Sequence, residues 1–244
     1  MDSPKLTLLG IGNSEALKFW NTNCLVEGDG KKILLDCGFT IKYALRDVGL
    51  ALRDIDAVYI SHVHGDHVFG LERIAYEFRY TYQKSALLFI EPELESVIWD
   101  HCLKGSMGSS NTPAQGLRDW FEVRIIQDHQ FEYAGCHFKT FPTPHTPGKA
   151  SYGVIINNRV VFTSDTNVIP WLAEHDFQCV IHDCDLSNTN PVHANLCDIV
   201  TRYPQALLEK LVLVHFDENL LESQKAELDT FPFKIGYQGQ EIAL

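Results

Sequence analysis

Ala57-Val58-Tyr59-Ile60-Ser61-His62-Val63-His64-Gly65-Asp66-His67 sets an apolar run directly before three imidazoles and a carboxylate. The apolar run has the length and continuity of a buried strand. Imidazole and carboxylate are preferred ligands of zinc and similar divalent cations. Crowding them where a buried strand ends costs desolvation unless a cation offsets it. In extended backbone, residues two apart point the same way, so His62 and His64 can hold one ion. Asp66 and His67 lie beyond the Gly65 turn and can reach a second ion nearby. The bland alternative is a solvated histidine-rich loop.

Outward from this stretch, the chain reads as strands followed by helix, twice over. Residues 6–10, 23–27 and 32–36 are strand-like, the last two joined by the turn signal Gly28-Asp29-Gly30. Residues 39–48 carry apolar positions at helical spacing and bring a helical crossing to the strand at 57–60. Residues 68–80 and 91–103 are helix-like, and 86–90 strand-like. Residues 104–116 have loop composition throughout and are expected to form a mobile flap. Strand-like pieces return at 121–127, 131–133, 137–142, 151–157 and 160–163. Helix and strand then alternate through 168–174, 179–182, 193–203, 211–215 and 218–228. This order fits an α/β fold of two mixed β-sheets stacked face to face with helices outside, an αββα sandwich, better than one doubly wound sheet. No linker, repeat or low-complexity segment interrupts it, so residues 1–244 are expected to form a single domain.

Four more residues end strand-like runs: His145 in Pro-Thr-Pro-His-Thr-Pro, Asp165 in Phe-Thr-Ser-Asp-Thr, Asp183 after Val-Ile-His, and His215 in Leu-Val-Leu-Val-His. A histidine or aspartate at a strand end is usually a turn residue. Strand ends gather on one edge of a sheet sandwich, however, so these residues can converge on the cluster at 62–67.

Composition bounds the function. With 244 residues, 45% of them hydrophobic, the chain can bury a sizeable core without staples. A net charge of −12 and no Lys/Arg run argue against a protein that grips long nucleic acids. A small phosphate ester stays open, because bound metal can supply local positive charge. Seven cysteines without a CxxC pair indicate neither a disulfide framework nor a cysteine zinc knuckle. No leader pattern opens the chain and no apolar stretch approaches the ~20 residues of a membrane span, so a cytoplasmic protein without a membrane partner is expected. The aromatic-rich stretch 69–82, with Phe69, Tyr76, Phe78, Tyr80 and Tyr82, holds more large side chains than one buried face needs and points to a homodimer.

Together, the HxHxDH signature at 62–67, His145, the Ser-Asp-Thr at 164–166 and His215 resemble the metallo-β-lactamase superfamily over nearly the whole chain. The resemblance implies an αββα sandwich with a two-metal site. It implies that His62, His64 and His145 hold the first metal, that Asp66, His67 and His215 hold the second, and that Asp165 bridges. A carboxylate at 165, where relatives resembling true β-lactamases tend to have cysteine, is similar to the phosphodiesterase branch. Leu-Gly-Ile-Gly-Asn at 9–13 resembles that branch's glycine-rich first turn. Ile-His-Asp-Cys at 181–184 and Val-His-Ala-Asn at 192–195 resemble elements of the tRNA 3′-processing nucleases, with Asp183 where those enzymes have Glu and Ala194-Asn195 in place of Ser-Thr.

The chemistry implied is hydrolysis of a phosphodiester at two divalent ions, zinc ahead of manganese, which acidify a water and polarise a phosphoryl oxygen. Asp66 would accept the water's proton, and His193 would stabilise charge or protonate the leaving oxygen, with Asp183 fixing its tautomer. The plain alternative for His193 is a surface histidine at a helix N-terminus. The tRNA nucleases carry a long basic arm between the residues matching His145 and Asp165; here that stretch holds one hairpin. The chain is more similar to the cyclic-nucleotide phosphodiesterases of the branch, including phage enzymes that blunt cyclic-nucleotide (Pycsar) immunity. The expected substrate is therefore a 3′,5′-cyclic nucleotide, with no stable nucleic-acid partner. The alternatives are an RNA 3′-end nuclease or other hydrolase of the same fold, and a ligand-sequestering protein without turnover.

Overall fold

The computed structural model describes residues 3–108, 116–187 and 189–244. Strands β1 (Lys5–Leu8), β2 (Cys24–Gly28) and β3 (Lys31–Leu35) form an antiparallel meander, with Asp29 and Gly30 both at positive φ in the β2–β3 turn. Helix α1 (Ile41–Asp47) crosses to β4 (Ala57–Tyr59), which lies parallel to β3. Helices α2 (Gly65–Val68) and α3 (Leu71–Tyr76) and a π-helical turn, Glu77–Tyr82, lead to β5 (Leu87–Ile90). Helix α4 (Leu94–Val97), a second π-helical turn (Ile98–Leu103) and α5 (Lys104–Met107) precede β6 (Glu122–Ile125). β4, β5 and β6 run parallel.

The second sheet repeats the plan. β7 (Gln130–Tyr133), β8 (Cys136–Pro142), β9 (Tyr152–Ile156) and β10 (Val160–Phe162) are antiparallel neighbours. β11 (Cys179–Asp183) then lies parallel to β10. α6 (Leu196–Arg202) and α7 (Gln205–Leu208) lead to β12 (Leu211–Val214), and α8 (Glu218–Leu228) to β13 (Lys234–Ile235), both again parallel. The last strand, β14 (Glu241–Ala243), returns to the first sheet antiparallel to β1. Among the described residues two mixed seven-stranded sheets result, flanked by helices.

Strand periodicity builds the layers. Along β2 to β4, Cys24, Val26, Ile33, Leu35, Ala57 and Tyr59 face the cluster between the sheets. Their neighbours Leu25, Leu34 and Val58 face a second cluster with Leu45, Leu71, Ile74 and Phe78 of the helical layer. β4, β9 and β12 are buried along their whole length, as expected for strands covered on both faces.

Several elements differ from the sequence expectation. The helix expected at 68–80 is broken at Gly70, where a Cβ would meet Gly38 O at 2.5 Å and Cys37 Sγ at 2.7 Å. The loop expected from 104 begins as helix α5, because Met107 is buried and Tyr76 OH donates to Ser106 O at 3.0 Å. The rest of the expected flap, 109–115, lies outside the described residues. The stretch 168–174 is a 3₁₀ turn, Pro170–Glu174, and α6 begins three residues after His193. Of the aromatic surplus at 69–82, Phe78 is buried and Tyr76 and Tyr82 are half-buried, leaving Phe69 and Tyr80 as the exposed rings. Among the described residues, no helix is long and apolar enough to cross a membrane.

Candidate metal centre

The ends of the parallel strands supply most of the site. Asp36 follows β3, Ser61 and His62 follow β4, Ser164 and Asp165 follow β10, Asp183 ends β11 and His215 follows β12. α2 carries Asp66 and His67, and the loop after β8 carries His145. Asp36, Ser164 and His215 all turn at positive φ (66, 51 and 74°). That region costs a non-glycine residue about 1–3 kcal/mol and persists where surrounding structure over-determines it. Gly38 lets the β3 end close onto α2, since a Cβ there would stand 2.0 Å from Asp66 O.

All seven residues expected as ligands converge, in two sets of four that share Asp165. In the first set, His64 Nδ1 lies 3.1 Å from both His62 Nε2 and His145 Nε2. Asp165 Oδ2 lies 3.6 and 3.8 Å from those two Nε2 atoms. In the second set, Asp165 Oδ1 lies 3.1 Å from His67 Nε2 and 3.4 Å from His215 Nε2, and Asp66 Oδ2 lies 3.4 Å from both. Around a tetrahedral cation with bonds of about 2.0–2.1 Å, ligand atoms stand roughly 3.3–3.4 Å apart. Both sets match that spacing.

The orphaned atoms make the same point. His67 Nε2 and Asp165 Oδ1 are buried, face each other and have no hydrogen-bond partner. The outward ring nitrogens of His62, His67 and His145, by contrast, are occupied. His62 Nδ1 meets Ser61 Oγ at 2.9 Å, His67 Nδ1 meets Asp36 Oδ2 at 2.8 Å, and His145 Nδ1 meets Val192 O at 2.9 Å. His215 Nδ1 faces Asp183 Oδ1 at 3.3 Å, an oxygen that is itself without a hydrogen-bond partner. Such partners fix the ring orientation of metal-binding histidines and leave the other nitrogen's lone pair inward. The donor set therefore fits divalent cation binding.

Charge divides the site. Burial pushes His62, His64 and His145 down, His64 to about 4, so these rings are neutral at pH 7. Burial also lowers His67 and His215, but Asp165 and Asp66 around the first, and Asp165 and Asp183 around the second, outweigh it and hold both well above the usual histidine range. Burial raises Asp165 and Asp66, yet the facing histidines hold both carboxyls well below the usual range. The carboxylates that raise these two rings are the same ones that would balance a cation held between them, and a cation bound there would compete with protons for the inward nitrogens.

His193 is not a surface residue: it is buried, with Nδ1 2.6 Å from Asp183 Oδ2. Burial lowers His193 and the Asp183 carboxylate outweighs it, raising the imidazole above its ordinary value. Asp183 Oδ2 also accepts the Thr166 amide at 2.9 Å. The His193 ring packs 4.8 Å from His145 and 4.9 Å from His215 between centroids. A third set of donors, Asp165, Asp183, His193 and His215, overlaps the second. With its Nδ1 turned to Asp183, the ring lines a cleft of about 390 Å³ with His215, Asn13, Ser187, Thr189 and Asn190. The glycine-rich turn at 9–13 thus reaches the site: the Asn13 amide donates to Phe216 O beside His215.

Sequence reasoning missed Asp36, Ser61 and Ser164, which support the ligands from behind. Asp36 ends a strand-like run as Asp165 does, and that signal could have found it. The serines carry no comparable mark.

Comparison with known proteins agrees with this geometry. Residues 4–233 match the family described as Anti-Pycsar protein Apyc1. The Paenibacillus harenae protein of that name is 37% identical over 225 residues, 90% of this chain and 92% of that one. The protein of the same name from Bacillus phage vB_BveM-Goe7 is 32% identical over 263 aligned positions, with both chains covered in full. Among solved structures, the metallo-beta-lactamase fold protein YhfI from Bacillus subtilis superposes with a TM-score of 0.74 at 16% identity, covering 99% of each chain. A diphosphatase from the PhnP family superposes at 0.77 and 17% identity, covering 99% of this chain and 98% of that one. The chain has the metallo-β-lactamase fold and belongs to the Anti-Pycsar protein Apyc1 family.

Proposed function

We propose that this protein is a binuclear metal-dependent phosphodiesterase that hydrolyses a 3′,5′-cyclic nucleotide and so acts against the cyclic-nucleotide signalling to which the name of its relatives refers. One observation carries the reading. Asp165 turns Oδ2 to the three-histidine set and Oδ1 to the Asp66–His67–His215 set, a shared carboxylate between two cation-sized clusters.

In this reading His62, His64, His145 and Asp165 hold one cation, and Asp66, His67, His215 and Asp165 the other. Two divalent ions held there, zinc ahead of manganese on this nitrogen-rich set, would supply Lewis acidity at a phosphoryl oxygen and would bring the pKa of a water towards neutrality. Asp66 accepts the proton of the attacking water. His193 donates Nδ1–H to Asp183, which leaves Nε2 to protonate the leaving oxygen; its raised pKa keeps that proton available near neutral pH. Asp183 holds the ring in that orientation.

Substrate size follows from the surroundings. Only the β9–β10 hairpin separates His145 from Asp165, so no inserted arm stands there to grip a folded RNA. The cleft beside His193 is of a size to take a nucleoside, and a net charge of −12 disfavours a polyanion. The protein is read as a cytoplasmic homodimer without a stable nucleic-acid partner.

The test is purified, zinc- or manganese-loaded protein assayed against cyclic mononucleotides, cyclic dinucleotides and a precursor tRNA. Hydrolysis of a cyclic mononucleotide well ahead of the others is expected. Cleavage of tRNA alone, or binding of a cyclic nucleotide without turnover, would overturn the proposal.

A further inference from the structure

Behind both ligand sets lies a hydrogen-bond network that belongs to neither. Asp36, Ser61 and Ser164 are buried. Asp36 Oδ1 accepts the Ser61 amide at 2.8 Å. Its Oδ2 is met by three groups: Ser61 Oγ at 2.8 Å, Ser164 Oγ at 3.0 Å and His67 Nδ1 at 2.8 Å. Ser61 Oγ is in addition 2.9 Å from His62 Nδ1 and 2.8 Å from Ser164 Oγ.

Counting protons gives the network a direction. A carboxylate only accepts, and a hydroxyl has one proton to give. Two buried oxygens 2.8 Å apart need a proton between them, so the Ser61 proton lies towards Asp36. The Ser61 oxygen is then an acceptor, and His62 must carry its own proton on Nδ1 to meet it. His62 Nε2 is left bare, on the side of Asp165. On the other flank the same Asp36 oxygen holds His67 by Nδ1, which turns His67 Nε2 to Asp165.

We propose that Ser61 and Asp36 are positioning residues. Asp36 is the common anchor that prepares one ligand of each cation set, His67 directly and His62 through the Ser61 hydroxyl. This rests on the metal-centre reading above. With Ser61 replaced by alanine, the His62 Nδ1–H loses its acceptor. The ring can then move its proton to Nε2, where His64 Nδ1 stands 3.1 Å away to receive it and the lone pair is lost to a cation.

The experiment combines two readouts. In metal-free protein, histidine ¹⁵N spectroscopy reports the tautomer of His62 and the exchange protection of the His67 Nδ1 proton. In titrations with Zn²⁺ against a chromophoric chelator, affinity is read for each ion. Wild-type His62 is expected as the Nδ1–H tautomer. Ser61→Ala should move that proton and weaken one ion by about 10–100-fold, the usual effect of losing a partner behind a metal ligand, and Ser61→Thr should restore both. Asp36→Asn should weaken both ions. A wild-type His62 protonated on Nε2 overturns the proposal. So does a Ser61→Ala protein with unchanged tautomer and affinity, or an Asp36→Asn protein in which one ion alone is affected. Should Asp36→Asn not fold, the Ser61 pair decides alone. If wild-type protein takes up no divalent ion, the proposed function falls, while the His62 tautomer still decides the positioning role.

Discussion

Replacing His193 by alanine separates catalysis from metal binding and from folding. The side chain is lost from a site where Nδ1 donates to Asp183 Oδ2 at 2.6 Å and the ring closes one side of the cleft. A hydrogen bond to a charged group contributes about 1.5–3 kcal/mol, and the Thr166 amide stays on the same oxygen. Because the vacated position opens on the cleft, water can replace part of what is lost. At about 2–4 °C per kcal/mol for a chain of this size, the melting temperature should fall by roughly 10 °C or less. Loss of a general acid is larger in rate: about 10²–10⁴-fold, or ~2.7–5.4 kcal/mol of barrier. If the group acts only in the transition state, kcat and kcat/KM should fall together. Metal analysis, thermal melting and steady-state kinetics on the best cyclic nucleotide measure the three quantities. Near-normal turnover would refute the role. Loss of one ion per chain would refute it differently, by showing that the overlapping set Asp165, Asp183, His193 and His215 is the occupied one.

Wild-type protein should bind two divalent ions per chain, and Asp165→Ala should lose more metal than His215→Ala, because Asp165 faces both sets and His215 only the second; elemental analysis of loaded protein giving at most one ion would sink the binuclear arrangement. A homodimer is expected in sedimentation at micromolar concentration, and Phe69→Glu with Tyr80→Glu, the two exposed rings of their stretch, should shift it towards monomer; wild-type protein seen only as monomer would end that idea. Replacing residues 109–115 by a short Gly-Ser linker should change KM or kcat; the cut stays outside 104–107, since Met107 is buried in the helical layer. Unchanged constants would show that these residues take no part in substrate handling.

The cluster at 62–67 was legible because its chemistry is local. Backbone geometry alone puts His62 and His64 on one side of an extended segment and turns Asp66 and His67 onto the helix beyond Gly65. His145, Asp165, Asp183 and His215 were legible for a different reason, that strand ends meet on one edge of a sandwich. The repeating order of strands and helices carried the αββα architecture, since each apolar run needed a layer to cover it. Strand β14 was not legible: Glu241–Ala243 is three residues long with a single buried side chain, and it exists because β1, far back in the chain, offers it an edge. Helix α5 was hidden by residues of loop composition that tertiary contacts through Met107 and Ser106 hold in a helical turn.

What the tertiary structure alone decided is which ligand atoms face one another and what stands behind them. Sequence order cannot say which oxygen of Asp165 faces which histidines, nor which nitrogen of His193 meets the Asp183 expected to orient it. Nor can it show Asp36, Ser61 and Ser164 meeting beneath both sets, because that junction joins the ends of β3, β4 and β10. Residue identity determines which chemistry the chain can perform. The directions of lone pairs and protons, on which that chemistry depends, exist only once strands distant in sequence lie side by side.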